Sequence, residues 1–126
     1  MDIGFFRVQR ERGAAAMEFA LAVSLFMTML FALVDVGRLA YTQNALTAAT
    51  QEGARILVAA PDTPLDTLTA KMLNRVVGLS PSALSVTVDH PEARMVEVRA
   101  TYTYRAITPL PFFDRVTLRA ATRMRY

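Results

Sequence analysis

Arg12-Gly13-Ala14-Ala15-Ala16-Met17-Glu18-Phe19-Ala20-Leu21 opens an apolar run that continues to Val34. From Gly13 the run is about 22 residues, or about 33 Å as a helix, which matches the hydrocarbon core of a bilayer. Glu18 is the only charged residue inside it. A carboxylate in such a span costs about 2.5–3.5 kcal/mol even on insertion-based scales. A plain anchor would gain by replacing it. Either the carboxylate snorkels to the headgroups or it has a partner, and the five-residue spacing from Gly13 suggests the second.

The flanks set orientation. Arg7, Arg10 and Arg12 precede the span, offset in part by Asp2 and Glu11, while Asp35 and Arg38 follow it and nearly cancel. The positive-inside rule then puts the N-terminus in the cytoplasm and the residues after Val34 outside it. A secretory signal peptide would have a shorter apolar region and a small-x-small cleavage site. Leu33-Val34-Asp35-Val36-Gly37-Arg38 offers no such site, so the span is expected to stay. Asp35 and Arg38 read as interfacial, solvated charges.

Helical pattern continues past the membrane. No proline occurs before Pro61. Leu39, Leu46, Ala49, Gly53, Ile56, Leu57 and Ala60 share a narrow apolar stripe, with Asn44, Ala48, Gln51 and Arg55 opposite. This predicts one helix from about Ala14 to Ala60, half in lipid and half docked on a domain, with Gly37 as a candidate bend. Glu52 and Arg55 read as a solvated i, i+3 pair. A second, short helix is marked by Thr63 as N-cap, Pro64 in the first turn and Asp66 behind it. Leu65, Leu68, Met72, Val76 and Leu79 give its apolar face, and Gly78 and Ser80-Pro81 its stop.

Three strands follow. Leu84, Val86 and Val88 alternate with polar residues, and His90-Pro91-Glu92-Ala93 reads as a turn. Val96, Val98, Ala100, Tyr102 and Tyr104 form the next inward set. A loop with Pro109 and Pro111 leads to Val116, Leu118, Ala120, Thr122 and Met124. Period-two alternation with polar outer faces predicts an antiparallel sheet covered on one side by the helices. The fold class is therefore α+β. The arginines at 99, 105, 119, 123 and 125 line the outer strand face, either solvated or in contact with phospholipid or an acidic partner.

With these residues placed, a resemblance emerges. The stretch Arg12 to Leu21 resembles the N-terminus of TadE-like proteins, the minor pilins (pseudopilins) of tight-adherence Flp pilus systems. Val34-Asp35-Val36-Gly37-Arg38 is similar to the acidic-x-Gly-Arg element that ends their apolar span, and Glu52-Gly53-Ala54-Arg55 to their Glu-Gly-Ala-Arg element. The C-terminal alternation ending Ala121-Thr122-Arg123-Met124-Arg125-Tyr126 fits as well. The likeness covers roughly Arg10 to Val58 well and the rest loosely. Ser24 stands where many relatives have proline, which removes an expected kink.

The resemblance implies a type IV pilin-like fold and a three-part chain: a cytoplasmic leader 1–13, a transmembrane and assembly helix 14–35, and a periplasmic α+β domain 36–126. It implies that a membrane prepilin peptidase cuts between Gly13 and Ala14. Glu18 then becomes the fifth residue of the mature chain. It and Phe19 are implied to act in assembly, with Glu18 facing the new N-terminal ammonium of its own or a neighbouring subunit. The implied partners are the bacterial inner membrane, the peptidase, a major Flp-type pilin, a TadF-like minor pilin and the Tad assembly machinery, with incorporation into an extracellular pilus. Pairing of charges in low dielectric offsets two desolvation penalties, and its sharper effect is register, since a buried charge penalises wrong axial offsets.

Composition excludes other classes. The chain has 126 residues, net charge +3, one histidine and no cysteine, so thiol catalysis and disulfides are out, and a metal centre lacks ligands. His90 reads as a turn residue. No Gly-rich phosphate loop or nucleophile elbow occurs, so neither an enzyme nor a cofactor is expected. Tyr102 and Tyr104 alternate away from the arginines, so no nucleic-acid stacking platform forms. The alternative is a single-span, signal-anchored envelope protein whose outer domain binds another envelope protein, with Gly13 merely a small residue at the start of the span.

Overall fold

The computed structural model describes residues 3–92, 94–107 and 115–125, with side chains from Gly13 onward. Helix α1 spans Ile3–Ala59, 57 residues and about 85 Å. It begins well before the expected Ala14, because Arg, Gln and Glu in the preceding segment are good helix formers. It also runs through Gly37 unbroken, so no bend forms there. A glycine costs only about 1 kcal/mol in a helix interior, too little to end one. Ser24 Oγ donates to the Ala20 carbonyl at 2.8 Å, and Thr28 Oγ1 to that of Ser24 at 2.9 Å. Both hydroxyls are thereby satisfied within the helix, as a span in lipid requires.

The C-terminal half of α1 docks on the sheet and on α2 (Leu65–Arg75). Leu46, Ala49, Gly53 and Leu57 are buried as the stripe predicts, while Ala60 lies exposed beyond the helix end. The buried face is wider than predicted, adding Thr42, Ala45, Thr50 and Ala54. A helix gripped by a sheet on one side and by a second helix on the other buries more than a single stripe. Thr50 stays satisfied: its Oγ1 donates to Thr47 O at 2.8 Å and lies 2.9 Å from Thr122 Oγ1.

Helix α2 starts one position later than expected. Pro64 is the flanking residue, with no side-chain cap, and its carbonyl accepts the Leu68 N–H at 2.9 Å. Thr63 instead donates to Ala60 O at 2.7 Å, closing the turn after α1. Leu68 and Met72 are fully buried, whereas Leu65 is exposed. Met72 explains Gly53: a Cβ there would sit 2.8 Å from Met72 Sδ. Gly53→Val is expected to destabilise the domain by about 1–3 kcal/mol through overpacking. Adding Met72→Ala should recover part of that loss, and a thermal-melt double-mutant cycle with zero coupling would contradict the contact.

Strands β1 (Leu84–Glu92), β2 (Met95–Arg105) and β3 (Arg115–Arg125) form an antiparallel meander in the order β1-β2-β3. A 3-10 turn at Pro81–Ala83 leads into β1. The inward sets are those predicted: Val96, Val98, Ala100, Tyr102, Tyr104 and Leu118 are buried against the helices. The expected turn at His90-Pro91-Glu92 is instead the end of β1, with an irregular register between Asp89 and Glu92. Pro91 is tolerated because β1 is an edge strand. The reversal passes through Arg94, whose φ of 72° is left-handed. Ala93, Pro109, Pro111 and Tyr126 lie outside the described residues. The architecture is α+β, a long helix and a short helix on one face of a three-stranded sheet.

Candidate functional site

Gly13 and Ala14 lie within α1, exposed, and a Cβ at Gly13 would stand in open space outside the helix's own backbone. Glu18 is one helical turn beyond Ala14, so the two share a face about 6 Å apart along the axis. Around them Met17, Phe19, Leu21, Leu25, Met29 and Leu33 are all exposed. A helix apolar on every side and covered on none presents its surface to lipid or to other helices. Among the described residues Glu18 has no partner within its own chain. The side chains of Arg7, Arg10 and Arg12 lie outside the described residues.

A second centre forms where the apolar half meets the domain. Asp35 Oδ1 accepts the Tyr104 hydroxyl at 3.1 Å, and its two oxygens lie 3.0 and 3.1 Å from the Ile107 N–H. Arg38, one turn on, places its guanidinium carbon 5.7 Å from the Tyr104 ring centroid, within cation–π range. Burial first, then the bond to Asp35, pushes the Tyr104 phenol above its ordinary range, so it remains a donor. Asp35 is therefore more than a solvated interfacial charge, while Arg38 stays exposed as expected and adds a contact to the Tyr104 ring. They clamp the end of β2 to the helix where it leaves the apolar run. The sequence signal was an acid-x-Gly-Arg element at the span's end; its tyrosine partner, 69 residues away, left no local trace.

Glu52 also departs from expectation. It pairs with Arg75 of α2 at 3.7 Å rather than with Arg55, which points outward. Within Glu52-Gly53-Ala54-Arg55, then, Glu52 reaches across to α2, Gly53 makes room for Met72 and Ala54 is fully buried. The element is a packing device between α1 and α2.

The outer sheet face carries the arginines as expected, with one surprise. Glu97 is only 3% exposed, because Arg99 and Arg123 fold over it at 2.9 and 3.2 Å. Arg99 also reaches Asp89 at 3.4 Å. The Arg99 hydrogen bond, helped by Arg123, holds the Glu97 carboxyl below its usual range against the opposing effect of desolvation. A carboxylate depressed in the folded state stabilises above its unfolded pKa of about 4.3 and loses that contribution as pH falls through the folded value. Acid melts should therefore show stability declining below about pH 4.3, and Glu97→Gln should flatten that decline. An unchanged acid profile in Glu97→Gln would contradict the pairing.

His90 is exposed, and among the described residues no group of acidic, histidine or cysteine side chains could hold a metal ion. A family model described as TadE-like protein matches residues 13–55. The matched segment takes in the apolar span, the Asp35–Arg38 clamp and the Glu52–Arg55 element. No curated protein matches the chain, and no solved structure does.

Proposed function

Because the chain is TadE-like over residues 13–55, a family of structural proteins associated with Tad pili rather than of enzymes, we propose that it is a minor pilin. In this reading prepilin peptidase removes residues 1–13, and Ala14 becomes the N-terminus. The apolar half of α1 first anchors the subunit in the inner membrane and then packs among the helices of other pilins. The α+β domain faces the periplasm and later the pilus surface.

The observation that carries the reading is the apolar half of α1, exposed on every side, with Glu18 one turn after Ala14. Membrane residence accounts for the apolar surface but leaves Glu18 a cost. Cleavage before Ala14 supplies the missing cation. The new ammonium and the carboxylate can pair within one chain or across a subunit boundary, and in the second case the pair sets the axial offset between subunits. The clamp at Asp35 serves the same end, since a domain fixed to its helix transmits the helix position to the pilus surface. The Gly13–Ala14 peptide lies within α1, so the cut requires local opening of the helix. From Gly13 onward the described residues at this end are exposed on every side, which makes such opening inexpensive.

Co-expression with a prepilin peptidase tests the reading. The intact mass should fall by residues 1–13, and it should not fall with a peptidase inactivated at its catalytic aspartates. A full-length mass under conditions that process a control prepilin would favour a signal-anchored envelope protein instead.

A further inference from the structure

Besides the Asp35 clamp, the turn after α2 ties the domain to α1 just above the apolar run. The Tyr41 hydroxyl donates to the Val77 carbonyl at 3.1 Å. Its ring lies 3.4 Å from where a Cβ on Gly78 would stand. Gly78 has a φ of 100°, a left-handed value that glycine adopts without strain, and the chain reverses there from α2 toward β1. Val77 is 80% exposed and Tyr41 58%. Turn positions favour Asn, Asp, Ser and Gly. Single exposed apolar side chains are ordinary on a protein surface; the position of this one sets it apart.

That position is the level of the bilayer surface. Gly53 faces Met72, and Tyr41 faces Val77, so the chain through α2 descends along α1 toward the span. Tyr41 stands seven residues beyond Val34, about 10 Å along the axis. Long side chains on a helix point back toward its N-terminus, which lowers the ring by about one turn. The headgroup layer extends about 5–8 Å beyond the hydrocarbon on each side. The sheet gives the same height. The Ser80 N–H donates to the Tyr102 hydroxyl at 3.4 Å, and Tyr104, about 7 Å further along β2, is bonded to Asp35, the first residue after the apolar run. Val34, Gly37 and Tyr41 share one face of α1. Val34 is exposed, and a Cβ on Gly37 would stand in open space outside the helix's own backbone. The apolar surface of the span thus continues upward into an open notch below Tyr41. Composition agrees: from Val76 no residue is charged until Asp89, while the opposite end of the domain carries Asp62, Glu92 and Arg94.

We propose that the Val77–Gly78 turn is a second membrane contact, seated in the lipid interface beside α1, with Val77 among the first acyl carbons and the Tyr41 ring at the headgroups. Tyrosine favours that layer because its ring is apolar and its hydroxyl polar. The proposal rests on the reading that α1 spans a membrane. Its consequence is orientation. The length of a single span fixes neither its tilt nor its rotation, and a contact on one side of it constrains both. Entry into a pilus would lift the turn out of the lipid.

The chain has no cysteine, so a nitroxide attached in Val77→Cys, Leu25→Cys or Gln51→Cys reports one site at a time. All three positions are exposed, and circular dichroism checks that each variant folds. The full chain is placed at one copy per nanodisc of phosphatidylethanolamine and phosphatidylglycerol. Collision of the label with oxygen, which concentrates in lipid, is compared with collision with a water-soluble nickel chelate. The oxygen-to-nickel ratio should be high at Leu25 and low at Gln51, with Val77 between them and several-fold above Gln51. A ratio at Val77 equal to that at Gln51 would overturn the proposal. So would a ratio that rises only when several copies share a disc, since a second chain would then cover the turn. A low ratio at Leu25 overturns the span and the turn contact together, whereas a high ratio at Leu25 with a low one at Val77 overturns only the turn contact.

Discussion

Replacing Glu18 with Ala is expected to abolish assembly while leaving leader removal intact. On the proposed reading the peptidase would act at Gly13–Ala14, a full turn from Glu18, so the substitution leaves the scissile peptide itself unchanged. After cleavage the ammonium of Ala14 is left in a helix bundle without its counter-ion. Removing one partner of a buried ion pair costs about 3–5 kcal/mol, or about two to four powers of ten in the docking equilibrium. Glu18→Gln should fail almost as badly, because the amide fills the volume but carries no charge. Quantifying the subunit in the sheared extracellular fraction against its processed amount in the membrane separates the two steps. Normal incorporation of the Ala variant would remove the charge pair from the account, and failure of processing would give Glu18 a role in peptidase recognition instead.

The second large effect is at Asp35. Its carboxylate accepts both the Tyr104 hydroxyl and the Ile107 N–H. Each charge-assisted bond contributes about 1.5–3 kcal/mol; Ala leaves the part-buried Tyr104 hydroxyl without its acceptor, while the exposed Ile107 N–H turns to water. Asp35→Ala should cost about 3 kcal/mol, which for a domain of this size lowers Tm by about 10–20 °C. Tyr104→Phe removes one bond and should cost about 1.5 kcal/mol. Amide exchange at Ile107 should accelerate in Asp35→Ala and much less in Tyr104→Phe. An unchanged melt and unchanged exchange in Asp35→Ala would show that the clamp contributes nothing.

Much of this was legible in the sequence because it is local. Periods of 3.6 and 2 mark the helices and strands residue by residue. The inward sets on β2 and β3 follow from alternation alone, as do Leu68 and Met72 on α2. The departures that shape the site involve residues far apart in the chain. Asp35 meets Tyr104, Glu52 meets Arg75 and Gly53 meets Met72, and each depends on how α1 is rotated and shifted on its neighbours. That rotation is set by the whole interface, so no window of sequence contains it. Glu97 shows the same limit in another form. It lies on the outer face as alternation requires, and its burial arose because Arg99 of its own strand and Arg123 of β3 fold over it. Thr63 is not the cap because α2 starts one residue later, at Leu65; its hydroxyl donates to the Ala60 carbonyl in the preceding turn. The early start of α1 reflects good helix formers in a segment read for its charge.

The same division applies to function. The spacing of Glu18 from Gly13 is a local pattern, and the structure adds that neither residue is packed against anything else in the chain. An uncovered apolar helix with one carboxylate near its end has no evident use in a free-standing subunit. It is suited to a state in which Ala14 carries a charge and neighbouring helices replace the lipid.

Tryptic peptide mapping of the protein recovered from a strain with an active Tad system tests the central claim most directly. Trypsin cuts after Arg12 and Arg38, so the unprocessed chain yields a peptide that starts at Gly13 and the processed chain one that starts at Ala14. The account expects the peptide Ala14–Arg38 in membranes and in sheared pili. Finding only Gly13–Arg38, where a control prepilin in the same cells is processed, would contradict it.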